Sequence, residues 1–258
     1  MFTIIYPMFE RGHIMKKELL LALRDYSYGA AKLQFSDWTD GIISGCNIAV
    51  TDTRLTVEPG ILKFNRFVYM LTEPQHVHYE PTEQTTVVKV RFSTTAASAT
   101  DIVRYAGRVI LDPDTVLGES ELEICRFKLK QGSRLRNDYT GFDDIQTEFD
   151  TVNLAHATWA GPDRPGVALP ILRAFAKEAI KCWLTEPWDI SFCTQAIAGE
   201  MVHRSVLEAY LEAHGEVISG AETNEDVYYM LERVLRKLKA NAKRPAQTGR
   251  KRHQIVVD

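Results

Sequence analysis

The sequence has little cysteine and no long apolar run. Its 258 residues include four cysteines, Cys46, Cys125, Cys182 and Cys193, and no two of them form a Cys-x-x-Cys pair. Four cysteines in a chain of this length are too few for a disulfide scaffold, so we interpret them as reduced, mostly buried thiols made in a cytosol. No stretch approaches the roughly 20 apolar residues of a membrane span, and no secretion signal follows Met1. We therefore predict no membrane span.

The sequence also lacks the common motifs of catalysis. No Gly-x-x-x-x-Gly-Lys-Ser/Thr, Gly-x-Ser-x-Gly, His-Glu-x-x-His or Gly-x-Gly-x-x-Gly pattern occurs. Their absence disfavours ATPases, serine hydrolases, zinc hydrolases and nucleotide-dependent oxidoreductases. We predict no catalytic residues, no cofactor and no metal, and hence a protein that is not an enzyme.

The charge of the chain is unevenly distributed. Apolar residues make up 45% and charged residues 25%, as in ordinary globular proteins, and the net charge of −3 gives no general attraction to nucleic acid. Residues 233–252, however, contain only basic charges, whereas residues 138–150 are acidic. The basic stretch is a candidate docking surface, and its candidate residues are Arg236, Lys237, Lys239, Lys243, Arg244, Arg250, Lys251 and Arg252.

That basic tail, residues 241–258, admits three interpretations. It binds nucleic acid, docks on an acidic protein surface, or is simply a solvated, flexible end. It has no interleaved aromatic residues, so base stacking is not indicated, and we regard nucleic acid as an unlikely partner.

Residues 1–30 resemble an appended docking arm. Phe2 and Ile4 lie in an apolar extended run, and residues 13–26 have the apolar spacing of a helix that includes Ile14, Leu20 and Leu21. Either this arm packs on the rest of the chain or it docks on a partner, and these five residues are the candidates for docking.

Residues 31–130 are predicted to form an antiparallel β domain. Short alternating runs over residues 40–50 and 54–69 are typical of a β-meander, with a type II turn at Pro59 and Gly60 and reversals at residues 51–53 and 65–66. Further strands are predicted at residues 85–92, 102–111 and 121–129, with a loop at 93–100. Strands of this number and length favour a β-sandwich or a strongly curved sheet.

The remaining residues are predicted to be mostly helical. An irregular connector at residues 131–165 leads to a helical domain at 166–240, with helices near residues 170–183 and 189–214 and a third that starts at Thr223. Thr223 and Asp226 form a weaker version of the capping box. Three such helices suit a small bundle, in which Trp159, Trp183 and Trp188 are most simply packing residues. The predicted fold class is therefore α+β.

Two polar clusters have a chemical interpretation beside a simpler one. His76, His78 and Glu80 share one face if they lie on a strand, which suits a metal, but flanking prolines make a regular strand doubtful and two exposed histidines are simpler. Asp143, Asp144 and Glu148 could serve a hydrolase acting on peptidoglycan or another glycan, although a surface acidic loop has the same composition.

Several stretches carry a family resemblance. Residues 9–26, 38–45, 124–130, 139–144 and 149–153 resemble a family of tail-region proteins from prophages of Gram-positive bacteria. The resemblance covers most of residues 9–155 and is weaker in the helical third, and its motifs carry no chemistry. It implies membership among baseplate and tail-fibre components of contractile tails or tail-like injection particles.

The resemblance implies a structural role. We expect a baseplate protein that links the baseplate to a tail fibre or receptor-binding protein, is made in the bacterial host cytoplasm and then becomes part of a virion or tail-like particle. Its expected partners are other baseplate or tail-fibre proteins, and a homo-oligomer, with a trimer as a guess, fits fibre attachment. The alternative is a nucleic-acid-binding accessory protein acting through the basic tail.

Overall fold

The described chain has an α+β architecture. A computed structural model describes residues 11, 12, 14, 16–96, 103–199 and 201–242, and this part contains five α-helices and three small antiparallel sheets. One helix precedes the strands and four follow them. The predicted α+β class, with an N-terminal helix ahead of a β domain, is confirmed.

The first helix, α1 (Lys17–Gln34), begins and ends later than predicted. Ile14 precedes it, so the predicted start at residue 13 is wrong, and the helix continues eight residues past the predicted end at Tyr26. The continuation follows from apolar residues at helical spacing as far as Leu33, which outweigh the cost of about 1 kcal/mol for Gly29 in a helix interior.

Six strands follow, and they divide between two sheets. They are β1 (Gly41–Gly45), β2 (Ile48–Val50), β3 (Arg54–Val57), β4 (Gly60–Phe64), β5 (Phe67–Leu71) and β6 (Gln75–His78). One sheet has the order β1-β4-β5 and the other β2-β3-β6. The predicted meander is therefore wrong, because β1 pairs with β4 and not with its neighbour in sequence.

The turn predicted at Pro59 and Gly60 is also wrong, because the chain passes there from one sheet to the other. Gly60 is absent from the positive-φ residues and pairs with Gly45 as the first residue of β4. A Cβ at Gly60 would lie 2.3 Å from the Cys46 nitrogen and 2.7 Å from the Ser44 oxygen. Glycine is required here for close approach of two backbones and not for a turn.

The reversal predicted at Asn65 and Arg66 is confirmed. Both residues have positive φ, 46° and 66°, and Phe64 pairs with Phe67 on either side of them. Two central residues with positive φ are the mark of a type I′ hairpin, whose twist matches that of the strands. The reversal at residues 51–53 is likewise present between β2 and β3.

The third sheet has the order β8-β7-β9, with β7 (Thr85–Ala96), β8 (Val103–Asp112) and β9 (Glu121–Lys128). The loop predicted from residue 93 is wrong as far as residue 96, because β7 pairs with β8 through Ala96. In β9 the side chains of Leu122, Glu123 and Ile124 are all buried, so both faces of this strand are covered. How the three sheets pack, as a sandwich or otherwise, stays a prediction.

The last third contains α2 (Leu169–Ala179), a 3₁₀ turn (Ile180–Cys182), α3 (Pro187–Ala198), α4 (Arg204–Ala213) and α5 (Asn224–Asn241). Helix α2 packs on α3 and α5, and α4 packs on α3 and α5. The capping box at Thr223 is present in both directions, with Thr223 Oγ1 accepting from Asp226 N–H and Thr223 N–H donating to the Asp226 carboxylate.

Two buried apolar clusters meet at the irregular connector. One lies among the helices and includes Phe142 and Ile145, and the other lies in the β region and includes Leu135 and Val152. Connector backbone also pairs with strands, as where Asn153 exchanges hydrogen bonds of 3.0 and 2.7 Å with Arg126. Residues 131–165 contain no helix or strand, and they contribute side chains to both cores.

The cysteines are mostly buried free thiols, as we predicted from the sequence. Cys46, Cys125 and Cys193 are buried, Cys182 is half-buried, and all four are free. Burial raises the pKa of the Cys46 thiol to about 11 and that of Cys193 to about 12. These thiols are therefore protonated, and they behave as small apolar side chains. In the part of the chain that is described, no helix combines the length and apolarity needed to cross a membrane.

Candidate docking surfaces

Helix α1 has no buried residue along its 18 positions. Its N-terminus has no side-chain cap, and β5 is the strand with which it makes contact. An isolated helix of this length is only marginally stable in water, because most helical stability in proteins comes from packing of an apolar face. An unpacked α1 is therefore the first candidate for a surface that another polypeptide covers.

The apolar side chains of α1 form a stripe at coiled-coil spacing. Leu19, Tyr26 and Leu33 are seven residues apart, and Leu23 and Ala30 lie beside them on the same side of the helix. Tyr26 is 61% and Leu33 75% exposed. We call these five residues the α1 seam. Charged residues such as Arg24 and Lys32 lie on the other faces, so the helix is amphipathic with its apolar side open to solvent.

The predicted docking residues lie only partly on this seam. Ile14 is 82% exposed ahead of the helix, Leu20 is exposed beside the seam, and Leu21 is half-buried. Phe2 and Ile4 lie outside the described residues. Sequence reasoning missed Leu23, Tyr26 and Leu33, although their spacing of three, four and seven residues was available as a signal.

The basic docking residues that the structure describes are held by carboxylates of the same chain. Arg236 pairs with Glu232, Lys237 with Glu216 at 3.4 Å, and Lys239 with Glu178 at 2.6 Å. Their side chains remain about half exposed or more, so they can still meet a partner in competition with these ion pairs. The predicted residues Lys243, Arg244, Arg250, Lys251 and Arg252 lie outside the described residues.

Two of the three tryptophans interpreted as packing residues are not buried. Trp183 is 56% and Trp188 63% exposed, which corrects the interpretation, whereas Trp159 packs against both cores. Trp183 also has a left-handed φ of 57° where the 3₁₀ turn ends. Sequence alone did not show this, because a tryptophan near an apolar helix stripe is usually buried.

The candidate acidic cluster is largely neutralised by basic partners. Arg136 donates two hydrogen bonds to Asp144, Thr140 adds two more, and this holds the pKa of the Asp144 carboxyl well below its usual range. Glu148 lies 3.4 Å from Lys128. An acid catalyst needs a raised pKa, so Asp144 is poorly suited to that role.

The two histidines considered as metal ligands lie on a regular strand. The flanking prolines therefore do not prevent strand formation here, although we expected that they would. His76 and His78 belong to β6, and the Nδ1 atom of His76 is 2.8 Å from Thr56 Oγ1 on the neighbouring strand. Within the described ranges, no group of three or more His, Cys, Asp or Glu side chains is placed to hold a metal ion.

A buried polar cluster that the sequence did not reveal lies between α3 and α4. Asp189 is 3% exposed and accepts a 2.9 Å hydrogen bond from Tyr210, while His214 Nε2 lies 2.7 Å from the same oxygen. This burial raises the pKa of Tyr210 far above its ordinary value. The cluster is enclosed, and it fixes the end of α4 to the start of α3.

Of family models, curated proteins and solved structures, the solved structures are the ones that match this chain. No protein-family model and no curated protein matches its sequence. Solved structures that align with it include a crystal structure of TssK, with 6% identity over 93% of this chain and 70% of that chain and a TM-score of 0.38.

Two further structures are baseplate complexes of the type VI secretion system. One aligns at 11% identity over 91% of this chain and 100% of that chain, with a TM-score of 0.36. The other, a TssK-TssF-TssG baseplate subcomplex, aligns at 9% identity over 92% and 100%, with a TM-score of 0.37. Similarity at these scores is too distant to assign a function to this chain.

Proposed function

We propose that the protein is a structural subunit in the baseplate of a contractile phage tail or tail-like injection particle. In this proposal it links the baseplate to a tail fibre or receptor-binding protein, and after synthesis in the bacterial cytoplasm it is carried in the particle. The observation that carries the proposal is the exposed α1 seam, which supports docking on another protein. The resemblance of residues 9–155 to prophage tail proteins suggests the kind of particle in which that docking takes place.

The seam requires a partner for energetic reasons. Burial of apolar surface stabilises a protein or complex by about 25 cal/mol per Å². An amphipathic helix commonly gains this free energy by binding with its apolar face in a groove of another protein. Against the part of its own chain that the structure describes, α1 buries no residue. A neighbouring subunit that covers Leu23, Tyr26 and Leu33 would bury these exposed side chains and so stabilise the helix.

The partner is proposed to be another baseplate or fibre protein, and the subunit is proposed to be repeated by symmetry, as a trimer. Assemblies with closed symmetry use the same patch in every copy, so one exposed helix per chain gives equivalent contacts around an axis. Small residues in and next to the seam, Ala22, Gly29 and Ala30, permit close approach of a neighbouring backbone.

The two exposed tyrosines of α1 provide a matched test. Tyr26 lies on the seam and Tyr28 on the opposite side, and they are 61% and 75% exposed. Full-length protein carrying Tyr26→Glu with Leu33→Glu should stay folded but should be lost from sedimented particles, because two carboxylates would be buried at the interface. Protein with Tyr28→Glu should be incorporated at the wild-type level.

Incorporation is measured by immunoblot of gradient-purified particles from cells that lack the unmodified protein, with circular dichroism of each variant as the control for folding. If the folded seam variant enters particles as well as the Tyr28 variant does, the docking role of α1 is wrong. If neither variant nor the unmodified protein is found in particles, the baseplate role itself is wrong.

A further inference from the structure

An open aromatic groove lies between the β4-β5 hairpin and the β7-β8 strands. It has a volume of about 780 Å³, which falls in the range of about 300 to 1,000 Å³ typical of ligand pockets. Its aromatic lining consists of Phe64, Phe67, Tyr69, Phe92 and Tyr105. The α1 seam does not line it, so it is a second surface that needs its own explanation.

The rings of the groove are ordered by stacking on one another. Phe67 and Tyr105 stack with centroids 4.2 Å apart, and Phe64 stacks on Phe92 at 4.0 Å. Phe64 and Phe92 are buried, whereas Phe67 is 37% and Tyr105 44% exposed. The buried pair therefore forms a rigid base, and the exposed pair presents aromatic surface to whatever enters.

The hairpin tip that forms one end of the groove is fixed by Asp40. Both carboxylate oxygens of Asp40 accept from the Asn65 backbone N–H at 3.1 Å, and Lys63 Nζ lies 3.7 Å from one of them. The type I′ turn then places Arg66 at the groove, with its left-handed φ of 66°. The anchored turn fixes the backbone from which the Arg66 side chain reaches the groove.

Polar groups converge on the same space. The Tyr69 pKa is raised by burial and by the proximity of Tyr105 and Asp40. Among the described residues, neither Tyr69 nor Tyr105 has a hydrogen-bond partner for its hydroxyl, and Arg66 has no carboxylate partner. Ser93, Thr94 and Ser120 also line the groove, and Thr94 pairs with Tyr105 across β7 and β8, so the side chains of these two residues share a face. The groove thus offers several unused donors and acceptors beside its rings.

We propose that this groove binds an oligosaccharide. Sugar rings have apolar C–H faces that can pack on Phe67 and Tyr105, and their hydroxyls both donate and accept hydrogen bonds. The hydroxyls of Tyr69 and Tyr105, which can donate and accept, together with the Arg66 guanidinium match a ligand whose polar groups do both. The inference is independent of the role proposed for α1.

Other ligand classes fit these groups less well. A proline-rich peptide also docks in aromatic grooves, but its backbone offers mainly acceptors, whereas the hydroxyls of Tyr69 and Tyr105 can accept as well as donate. A phosphate-bearing ligand needs a surplus of positive charge, whereas Arg66 is the one cation among the described residues that line the groove. A neutral polyol needs no net charge.

The test uses full-length protein and four probes in calorimetry and saturation-transfer NMR: chitohexaose, maltohexaose, cellohexaose and a decaproline peptide. At least one oligosaccharide should bind, and Tyr105→Ala should weaken it about tenfold or more, because the exposed ring platform is lost. Tyr229→Ala is the matched control, since that tyrosine is 43% exposed on α5 and lies outside the groove.

Two milder variants keep the test informative if Tyr105→Ala is unstable. Tyr69→Phe removes one hydroxyl, and Arg66→Gly removes the guanidinium at a position whose backbone favours glycine. Each should weaken sugar binding about fivefold. The proposal is overturned if no oligosaccharide binds at millimolar concentration, if binding is unchanged in all three groove variants, or if decaproline binds and the sugars do not.

Discussion

Helices α1 and α5 have the same length, 18 residues, and opposite relations to the rest of the chain. Helix α5 begins with a capping box and buries six residues, among them Tyr228, Leu231 and Val234. Helix α1 begins without a side-chain cap and buries none. Both carry an apolar stripe, so the stripe alone does not decide whether a helix is packed inside its own chain. What decides it is whether a complementary apolar surface folds against it.

The connector and α2 provide that surface for α5. Phe142 stacks on Tyr228 with centroids 4.7 Å apart, and the Tyr228 hydroxyl donates a 2.6 Å hydrogen bond to the Phe142 backbone oxygen. The residues that the structure describes supply no equivalent contacts to α1. The two helices thus differ in burial: α5 packs into the core, whereas the apolar side of α1 is open among the described residues.

The largest expected difference is in the free energy of unfolding when one leucine in each helix is replaced by alanine. Leu231 of α5 is fully buried, and Leu231→Ala should lower the free energy of unfolding by about 2 to 5 kcal/mol through lost transfer free energy and a cavity. Leu23→Ala in α1 should change it by less than about 0.5 kcal/mol, because Leu23 is 43% exposed. Urea denaturation followed by circular dichroism measures both. Equal losses would mean that α1 is packed after all.

A smaller effect is expected where a carboxylate anchors α5. Glu216 pairs with Arg233 and Lys237, and the hydrogen bond from Arg233 does most to lower its pKa below the ordinary value of 4.5. A carboxyl whose pKa is lower in the folded state stabilises the fold above the unfolded pKa. That contribution is then lost as the pH falls from about 4.5 through the folded value.

Glu216→Gln should therefore cost about 1 to 2 kcal/mol at pH 7 and should flatten the decline of stability below pH about 4.5. Urea midpoints measured from pH 7 to pH 3 check this. Glu212→Gln, at an exposed position of α4, is the control and should leave the profile unchanged. A variant that follows the wild-type pH profile would show that Glu216 does not anchor α5.

The smallest of these effects concerns the start of α5. Thr223→Ala removes the acceptor for Asp226 N–H and one half of the capping box, and it should cost about 1 kcal/mol. Thr223→Ser keeps the oxygen and should cost little. A thermal melt distinguishes the two, and equal melting temperatures for the Ala and Ser variants would contradict a capping contribution.

Features that depend on a few adjacent residues were predicted well from the sequence. The capping box at Thr223 and the reversal at Asn65 and Arg66 are set by a few adjacent residues, and both were found as predicted. The burial of three cysteines followed from their apolar character. The start of α1 was less well predicted, because helix ends depend on small differences in propensity and capping.

Predictions that required knowledge of distant partners were less successful. The pairing of β1 with β4 and the close contact at Gly60 depend on backbone contacts that no local pattern encodes. The exposure of Trp183 and Trp188 likewise depends on which faces the other helices cover. The aromatic groove was missed for the same reason, since its rings come from four separate strands.

The sequence by itself determined the α+β class, the capped start of α5, the β4-β5 hairpin turn and the apolar stripes of both long helices. These depend on backbone propensity and on side-chain period, which neighbouring residues settle. Only the tertiary structure decided that the stripe of α5 is buried while that of α1 is open, and that five aromatic residues line one groove. Burial requires a complementary surface brought from elsewhere in the chain, and the order of residues does not show which surfaces meet.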